Sequence, residues 1–458
     1  MPSSRGTAGA LQVRTARRDP ERVCLLLPVP PVHRPTAAEM IELGLARVGQ
    51  LLKHTPLPWR AIHVAGTNGK GSICVAASAM LHRAGIAHGR FTSPHLIDRW
   101  DCISINEEPV TEPVFREVER LVQGRNEQEG INATEFELLA ATAFELFTRA
   151  QIEIGVIETG MGGRLDATNV LQQPLVTVIC KIGLDHQAFL GDTIEKIAFE
   201  KAGILKPGVP CVVEDTNRPS VIEVIQERAR EISAGPVYMV HGLPEAPKSN
   251  PEYESFLKSK SFQPHEILNT ACAHKATLLA LEALGKKPDD ELSLFTGLTD
   301  IKLPGRLQTL DLGRITERKG PAVLDGAHNV DSAEALGRFV ESWRKKGDSP
   351  VVWVLSVSHG KALVEMLKPL LRDGDSVVAV EFGPVDGMPW VKATSAESVI
   401  AAAKETASLK QTVDCGSDVL AALKNGTQMA SLEDREAPLV VAGSLYLVSD
   451  VLRLLKHG

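Results

Sequence analysis

A glycine-rich turn with one lysine carries the most evident chemistry of this sequence. The letters GTNGKGS, residues 66–72, follow the apolar run Ala61–Val64 and precede a helical pattern over Ile73–Ala84. Backbone N–H groups of such a turn, the positive end of the following helix and the ammonium of Lys70 favour a polyphosphate. The spacing departs from the common phosphate-loop pattern, because Gly71 separates the lysine from the next serine. The segment predicts an ATP site.

Polar side chains also follow the other predicted strands of this region. In a doubly wound sheet, ligands bind beyond the carboxyl ends of the strands. The predicted strand Ile152–Ile157 is followed by Glu158, an acid placed to hold Mg²⁺ beside a phosphate loop. The predicted strand Leu175–Cys180 leads to His186, which is either a metal ligand or general base, or a structural histidine.

A second lysine lies near the end of a predicted helix. The stretch Asp192–Ile204 has Asp192 and Glu195 in the positions of an N-cap and its N3 partner. Lys201 falls in the last turn of this helix. It either faces the phosphate site or forms a solvated charge pair with Glu200, and the spacing leaves both alternatives open.

Alternating apolar runs and amphipathic patterns predict the elements that position these groups. After the turn at Pro304-Gly305 a second series of strands is predicted at Ala322–Leu324, Val351–Val357, Ser376–Val380 and Leu439–Ala442. Alternation of this kind indicates an α/β protein with mostly parallel sheets. We predict a leader over residues 1–35, an ATP-binding domain over residues 36–302 and a smaller Rossmann-like domain over residues 303–458. The polar stretch 243–264 is predicted to be a surface excursion.

The second predicted domain offers its own polar groups at a strand end. Asp325 to Asn329 follow the strand Ala322–Leu324, and Arg306 follows the boundary turn. An arginine and an aspartate that face a phosphate loop from another domain indicate a nucleotide held between two domains. Closure of such a cleft would exclude water from a reactive intermediate.

Composition limits the classes of function. The chain has 458 residues and a formal charge of −7, which argues against a general nucleic-acid binder. No apolar run approaches the roughly 18 residues of a membrane span. Seven cysteines without a CxxC pair predict reduced thiols rather than a disulfide framework or zinc site. We expect a cytoplasmic protein, with mitochondrial import through the arginine-rich leader as the alternative.

Eight ordered segments carry a resemblance to a known family. They are GTNGKGS at 66–72, TSPHL at 92–96, ETGMGGRLDATN at 158–169, LDHQAFLG at 184–191, EKAGILKPG at 200–208, PGRLQ at 304–308, DGAHN at 325–329 and GSLYL at 443–447. With these segments the chain resembles the dihydrofolate synthase and folylpolyglutamate synthase family of Mur-type ligases. The resemblance runs from about residue 41 to residue 455.

The resemblance implies an ATP-dependent amide ligase. A carboxylate is phosphorylated by ATP, and the amine of L-glutamate attacks the acyl phosphate. The implied ATP contacts are Asn68, Gly69, Lys70, Gly71, Ser72, Asn269, Arg306 and Asp325. The implied ligands of Mg²⁺, with two ions expected, are Ser93, Glu158, His186 and a carbamoylated Lys201. Lys70, Lys201 and His186 are the implied catalytic residues.

The resemblance also implies contacts with dihydropteroate. These are Leu43, Gly44, Leu45, Thr134, Glu135, Phe136, Leu165 and Asp166, with His328 near the nucleotide and the incoming amino acid. Apolar helix residues such as Leu43 fit a core equally well. One departure is that many relatives carry Glu-Arg where this chain has Asp101-Cys102.

Several residues bear on the choice of substrate within the family. Asn68 and the letters GGRLDATN point away from eukaryotic polyglutamate synthases, whereas residues 388–390 and 183–191 favour the monofunctional dihydrofolate synthases of fungi. A polyglutamate synthase or bifunctional enzyme is the alternative. Two alternatives of other classes are a nucleotide switch and a cell-wall ligase. A guanine-specific switch should carry an NKxD motif, which this sequence does not contain, and a cell-wall ligase would need an amino-terminal sugar-nucleotide domain, which is not evident. We expect small-molecule substrates, no nucleic-acid or membrane partner, and a monomer.

Overall fold

The chain forms two sheets, which the computed structural model describes for residues 44–244, 251–259, 262–288, 290–299, 303–347, 349–432 and 437–457. The first sheet contains β1 Arg60–Ala65, β2 His88–Phe91, β3 Ile103–Ile105, β4 Glu108–Pro109, β5 Ile154–Glu158, β6 Val176–Ile179, β7 Cys211–Glu214 and β8 Val237–Val240. The second contains β9 Gln308–Leu310, β10 Ala322–Leu324, β11 Val352–Leu355, β12 Ser376–Ala379, β13 Gln411–Asp414 and β14 Leu439–Ala442.

Helices separate the strands along the chain. The α-helices are Ala46–Leu51, Lys70–Arg83, Glu112–Gln128, Glu135–Arg149, Gln187–Leu190, Ile194–Ala202, Pro219–Glu231, Pro251–Ser259, Pro264–Ala283, Gly313–Thr316, Val330–Gly347, Leu363–Leu367, Ala396–Thr406, Val419–Ser431 and Leu445–His457. Two 3₁₀ helices span Ala167–Val170 and Glu291–Leu298. Within the described ranges, none of the helices is long and apolar enough to cross a membrane.

Both sheets are mostly parallel, as predicted. Their strand orders are β4-β3-β2-β5-β1-β6-β7-β8 and β13-β12-β11-β14-β10-β9. Among the described strands, antiparallel pairing is confined to the pairs β2–β3, β3–β4 and β9–β10. The predicted α/β class is confirmed, and the predicted strands agree with the observed ones to within two residues at each end. Polar residues that follow the parallel strands therefore share one edge of each sheet.

Alternating side chains place helices on both faces of the first sheet. Ile62 and Val64 of β1 pack in the core formed with the helices Lys70–Arg83 and Pro264–Ala283. Ala61 of the same strand packs on the opposite face. Because neighbouring residues of a strand point to opposite faces, each strand is covered on both sides.

Two sequence predictions are wrong in detail. Residues 251–259 form a helix rather than part of a surface excursion, and Tyr253 is buried with its ring centroid 4.8 Å from that of Phe295. The cap of helix Ile194–Ala202 is Thr193, whose hydroxyl accepts a hydrogen bond from the N–H of Lys196 at 3.3 Å. Asp192 instead forms an ion pair with Lys196 at 2.7 Å. The predicted leader and Leu43 lie outside the described residues, and the domain division at residue 302 stays a prediction.

Candidate active site

The phosphate loop joins β1 to the helix Lys70–Arg83, as the sequence predicts. Gly69 precedes the helix with φ of 99°, a left-handed conformation that favours glycine. A Cβ atom at Gly69 would overlap the Asn269 side chain, so Asn269 packs directly against the loop. The hydroxyl of Thr67 accepts a hydrogen bond from Gly183 N at 3.0 Å, which ties the loop to the segment that follows β6.

Glu158 ends β5 beside this loop and is 4% exposed. Its Oε2 atom accepts a hydrogen bond from Ser93 N at 3.1 Å, and Lys70 Nζ lies 3.8 Å from its Oε1 atom. Desolvation raises the pKa of Glu158, against the opposing effects of Lys70 and the Ser93 N–H. The carboxylate is thus deeply buried with an ammonium near it but beyond hydrogen-bond distance. Such a group fits a bound cation.

Lys201 faces the phosphate loop from the helix Ile194–Ala202. Its side chain is buried, and Nζ donates a hydrogen bond to Gly66 O at 2.7 Å. Burial, followed by the charge of Lys70, lowers the pKa of Lys201 to about 7. Glu200 pairs with Arg164 at 2.8 Å rather than with Lys201. Of the two alternatives left open by the sequence, the structure therefore shows the contact with the loop.

His186 lies at the same edge of the sheet, in the segment that follows β6. Its φ is 53°, and its side chain is 46% exposed. Desolvation and the cations Lys361 and Lys201 outweigh Asp185 and lower the pKa of His186 to about 4. The imidazole is therefore neutral near pH 7, which is the form that binds metals.

The donor set at this edge is compatible with a divalent cation. Across the described ranges no three His, Cys, Asp or Glu side chains gather as a metal site. A metal ion here would depend on Glu158 and His186 together with the Ser93 hydroxyl, Lys201 and non-protein oxygens. Glu158 suits Mg²⁺, which prefers oxygen ligands. The buried hydroxyl of Thr159 beside it has no hydrogen-bond partner in the described part of the protein.

The second sheet meets this edge through direct contacts. Asn329 Nδ2 donates a hydrogen bond to Asn68 Oδ1 at 3.0 Å. Asp185 contacts two side chains that follow strands of the second sheet. It forms an ion pair with Lys361, and its carboxylate lies 3.6 Å from His328 Nε2. The strand ends of the two sheets therefore face each other across the phosphate loop.

Asp325 and Arg306 stand at the strand end of the second sheet. The carboxylate of Asp325 is buried and accepts hydrogen bonds from Leu307 N at 2.7 Å and Ala327 N at 2.8 Å. Burial raises the pKa of Asp325, whereas the charge of Arg306 opposes the increase. The exposed Arg306 also acts electrostatically on Glu158. Arg306 thus lies within electrostatic range of Glu158, while Asp325 fixes the backbone at Leu307 and at Ala327.

Predicted substrate residues gather at the turn after Glu158. Phe136 stacks on Phe91 with ring centroids 6.1 Å apart, and a Cβ at Gly160 would overlap the Phe136 ring. The buried Asp166 accepts hydrogen bonds from Met161 N at 2.8 Å and from the Thr168 hydroxyl at 2.5 Å. Phe136 and Asp166 therefore contact adjacent residues of one turn.

Other predicted substrate residues lie near this turn. Thr134 caps the helix Glu135–Arg149 in a capping box with Glu137. Arg47 Nε donates to Glu137 at 2.9 Å, which links the segment after Gly44 and Leu45 to this cap. Leu165 is half-buried next to Asp166.

The departure at Asp101-Cys102 has a structural explanation. Asp101 accepts hydrogen bonds from the backbone N–H groups of Leu96 at 3.0 Å and Ile97 at 2.6 Å, so it fixes its own loop. Cys102 is buried, and its thiol donates to Arg99 O at 3.2 Å. Arg99, which the sequence interpretation missed, lies in the same loop and forms ion pairs with Glu119 at 3.0 Å and with Glu135 at 3.1 Å.

Other site residues were also missed. Thr67, Asp185 and Asn329 lie inside the quoted motifs, but the motifs gave no sign of their partners. Lys361 lies in the loop after β11, at the carboxyl end of a parallel strand. The rule that selected Glu158 could have selected Lys361 as well.

Comparisons with known proteins agree with this geometry. Residues 308–454 match the model of the dihydrofolate synthetase C-terminal domain family. The chain is 38% identical to a probable dihydrofolate synthetase of Schizosaccharomyces pombe, over 91% of this chain and 99% of that protein. It is 36% identical to the dihydrofolate synthetase of Saccharomyces cerevisiae, over 90% and 98% of the two chains.

Solved structures show the same architecture. E. coli FolC in complex with DHPP and ADP superposes with a TM-score of 0.73 at 25% identity, covering 91% of this chain and 94% of that chain. A bifunctional folylpolyglutamate synthase/dihydrofolate synthase of Yersinia pestis, complexed with AMPPNP and Mn ion, superposes with a TM-score of 0.69 at 26% identity over the same shares. The chain belongs to the dihydrofolate synthase and folylpolyglutamate synthase family of ligases.

Proposed function

We propose that this protein is a dihydrofolate synthase. It joins L-glutamate to 7,8-dihydropteroate and forms 7,8-dihydrofolate, ADP and phosphate. The observation that carries the proposal is the meeting of Lys70, Glu158 and Lys201 at one phosphate loop, opposite the strand ends of a second sheet. The identity to fungal dihydrofolate synthetases over nearly the whole chain supports this choice of substrate.

ATP binds between the two sheets in this proposal. The N–H groups from Asn68 to Ser72 and the start of the following helix hold the phosphates, with Lys70 as the nearby charge. Asn269 packs on the loop, whereas Arg306 and Asp325 hold the nucleotide from the second sheet. The pair Asn68–Asn329 keeps the two sides together while ATP is bound.

The reaction has two bond-forming steps. A carboxylate oxygen of dihydropteroate attacks the γ-phosphorus, and the bond to the ADP oxygen breaks, which gives an acyl phosphate. The amine of glutamate then attacks the acyl carbon, the carbon–oxygen bond to phosphate breaks, and the amine loses its proton. Carboxylate and triphosphate repel each other, so Lys70 contributes by neutralising charge as they approach.

Divalent metal at this site would be held by Ser93, Glu158, His186 and Lys201. We propose Mg²⁺, with two ions, which supplies further neutralisation of the phosphate and carboxylate charges. Glu158 offers an anionic oxygen, and neutral His186 offers a ring nitrogen. Lys201 offers an anionic oxygen only after modification.

Lys201 is proposed to carry a carbamate. Its neutral amine attacks CO₂, a nitrogen–carbon bond forms and a proton is released to water. Burial against Gly66 O favours the neutral amine that this reaction needs. The product is an anion beside the phosphate loop, within electrostatic range of Lys70, where it adds ligand oxygen atoms.

Dihydropteroate is proposed to bind along the turn after Glu158. Phe136 offers an aromatic surface to the pterin, and Asp166 a fixed polar edge. In this proposal the helix starts at Thr134-Glu135 and after Gly44-Leu45 surround the pterin. Leu165 is an apolar neighbour, and His328 lies near the incoming glutamate.

One assay tests the proposed substrate. Purified protein is supplied with ATP, Mg²⁺ and L-glutamate, and with either dihydropteroate or tetrahydrofolate. Dihydrofolate should form with release of ADP, and kcat/KM for dihydropteroate should greatly exceed kcat/KM for the extension of tetrahydrofolate. Extension of tetrahydrofolate alone would contradict the proposed substrate, whereas the assignment to the ligases would stand. Similar kcat/KM values for the two substrates would support the bifunctional alternative.

We further propose a monomer that works in the cytoplasm. Size-exclusion chromatography with light scattering tests the monomer. Tagged chains with and without residues 1–35 test the compartment, and mitochondrial signal that depends on those residues would contradict it.

A further inference from the structure

A loop of the second sheet reaches the substrate residues of the first. This closing loop, residues 383–391, follows the strand β12. Gly387 within it has φ of 70°, and a Cβ atom there would overlap the Arg99 guanidinium and lie 3.6 Å from Glu135 Oε2. The backbone of the closing loop therefore sits directly on two side chains of the other sheet.

The closing loop is firmly held on its own side. Gly383 N donates a hydrogen bond to Asp450 Oδ2 at 2.8 Å, and the Tyr446 hydroxyl donates to the sulfur of Met388 at 3.6 Å. Met388 N also donates to Val385 O at 3.1 Å, which closes a turn. The position of Gly387 is thus coupled to the second sheet and its last helix.

The surface that the closing loop touches is equally well fixed. Arg99 is 5% exposed and forms ion pairs with Glu119 at 3.0 Å and with Glu135 at 3.1 Å. Glu135 precedes Phe136, and Phe136 packs on Gly160 in the turn after Glu158. A continuous series of contacts therefore leads from Glu158 to the closing loop.

We propose that the closing loop covers the pteroate end of the substrate site and determines the length of substrate that the enzyme accepts. This inference rests on the proposed function. In every substrate the reacting carboxylate must meet the γ-phosphate at the phosphate loop. A folate that already carries a glutamate is longer by about one residue, ~3.5 Å or more when extended. Its ring end must move outward, toward the contact between Gly387 and Arg99.

The contact leaves little room for that movement. Because not even a Cβ fits between Gly387 and Arg99, an outward shift must move the loop or the buried Arg99 with its ion pairs. Dihydropteroate fits with the closing loop in place, whereas the longer substrate opposes closure. Gly387 and Arg99 are positioning residues in this scheme.

The test compares Gly387→Ala with a matched control, Gly374→Ala. Gly374 also has a left-handed φ, of 88°, but a Cβ there meets no other described atom within 4 Å. Steady-state kinetics are measured for dihydropteroate, tetrahydrofolate and ATP. For Gly387→Ala we expect KM for dihydropteroate to rise about tenfold, with KM for ATP within about twofold and the preference for dihydropteroate over tetrahydrofolate falling about tenfold. Gly374→Ala should keep the wild-type preference.

A second variant tests the same inference if Gly387→Ala does not fold. Replacement of residues 384–390 by a Gly-Ser linker removes the cover without placing a Cβ against Arg99, and should lower the substrate preference by a similar factor. Equal losses on both substrates, or an unchanged preference in both variants, would overturn the inference and leave the proposed function standing. Wild-type protein that makes no dihydrofolate would overturn the proposed function as well.

Discussion

The substitution Lys201→Ala is the most direct test of the proposed site. With a pKa of about 7, roughly three quarters of the Lys201 side chains are neutral at pH 7.5, against roughly 0.1% for a lysine with the ordinary value of about 10.4. The site thus makes the free amine several hundred times more abundant for reaction with CO₂. Lys201→Ala removes the carbamate, and we expect kcat to fall on the order of 10³-fold, as when a charge-stabilising group is removed from an active site.

The fold should survive this substitution. Lys201 Nζ donates one hydrogen bond, to Gly66 O, so the lost contact is worth about 1 kcal/mol. The desolvation that lowers its pKa also means that the protonated amine opposes folding. This opposition is fully present below about pH 7 and disappears as pH rises toward the unfolded value of about 10.4. In CO₂-free buffer, the Tm of Lys201→Ala relative to wild type should therefore be highest near and below pH 7.

The assay follows dihydrofolate formation in CO₂-depleted and bicarbonate-supplemented buffers, with ¹³C NMR of protein exposed to ¹³CO₂. Wild-type activity should drop on depletion and return with bicarbonate, and a carbamate signal should be present only when Lys201 is. Lys206→Ala is the matched control, because Lys206 is half-buried and its pKa is also lowered by burial. Wild-type turnover in Lys201→Ala, or a carbamate signal that persists in it, would refute the reasoning.

Four further substitutions test the rest of the site. Glu158→Gln keeps the shape but removes the charge, so kcat should fall on the order of 10³-fold with more Mg²⁺ needed for half-maximal rate, measured by magnesium titration; an unchanged Mg²⁺ requirement would contradict its role. Asn68→Ala and Asn329→Ala should each raise KM for ATP, and a double-mutant cycle should give a coupling of about 1 kcal/mol; additive effects would show that the pair does not act together. Lys361→Met leaves Asp185 without its ammonium partner and should lower kcat/KM about tenfold. The free energy of unfolding, measured in urea, should fall by about 1–3 kcal/mol. If neither kcat/KM nor the free energy of unfolding changes, the Asp185–Lys361 pair does not help to hold the two sheets together.

The strands and the phosphate loop were the parts that the sequence could predict. Buried parallel strands read as short apolar runs, and each run here ends where a polar group begins, so Glu158 and His186 could be found from position alone. The order of the motifs indicated the other site residues at this edge of the first sheet. These features depend on local sequence, because the strand that carries a group also determines its place at the edge.

Contacts between distant segments could not be predicted from the sequence. Nothing in the spacing indicates that Asp101 binds the backbone of its own loop or that Gly387 meets Arg99, since both depend on how segments far apart in sequence pack. Thr193 and Asp192 are both good N-caps by residue type, and the choice between them depends on where the preceding loop leaves the chain. The helix 251–259 was missed because its polar surface residues mask the buried faces of Tyr253 and Phe256.

The buried charges of this site explain why it needs a bound cation. Within the described residues, Glu158 and Lys201 are each costly to bury, since the ammonium near Glu158 lies 3.8 Å away and Lys201 donates only to a carbonyl. With the second sheet in place and Arg306 acting on Glu158, the pKa values of the acid and the amine are still shifted toward their neutral forms. A divalent cation would favour the ionised acid and the carbamate, and it would offset their repulsion from the phosphates of ATP. The proposed chemistry is therefore assembled only when metal and ATP occupy the cleft whose two sides meet at Asn68 and at Gly387.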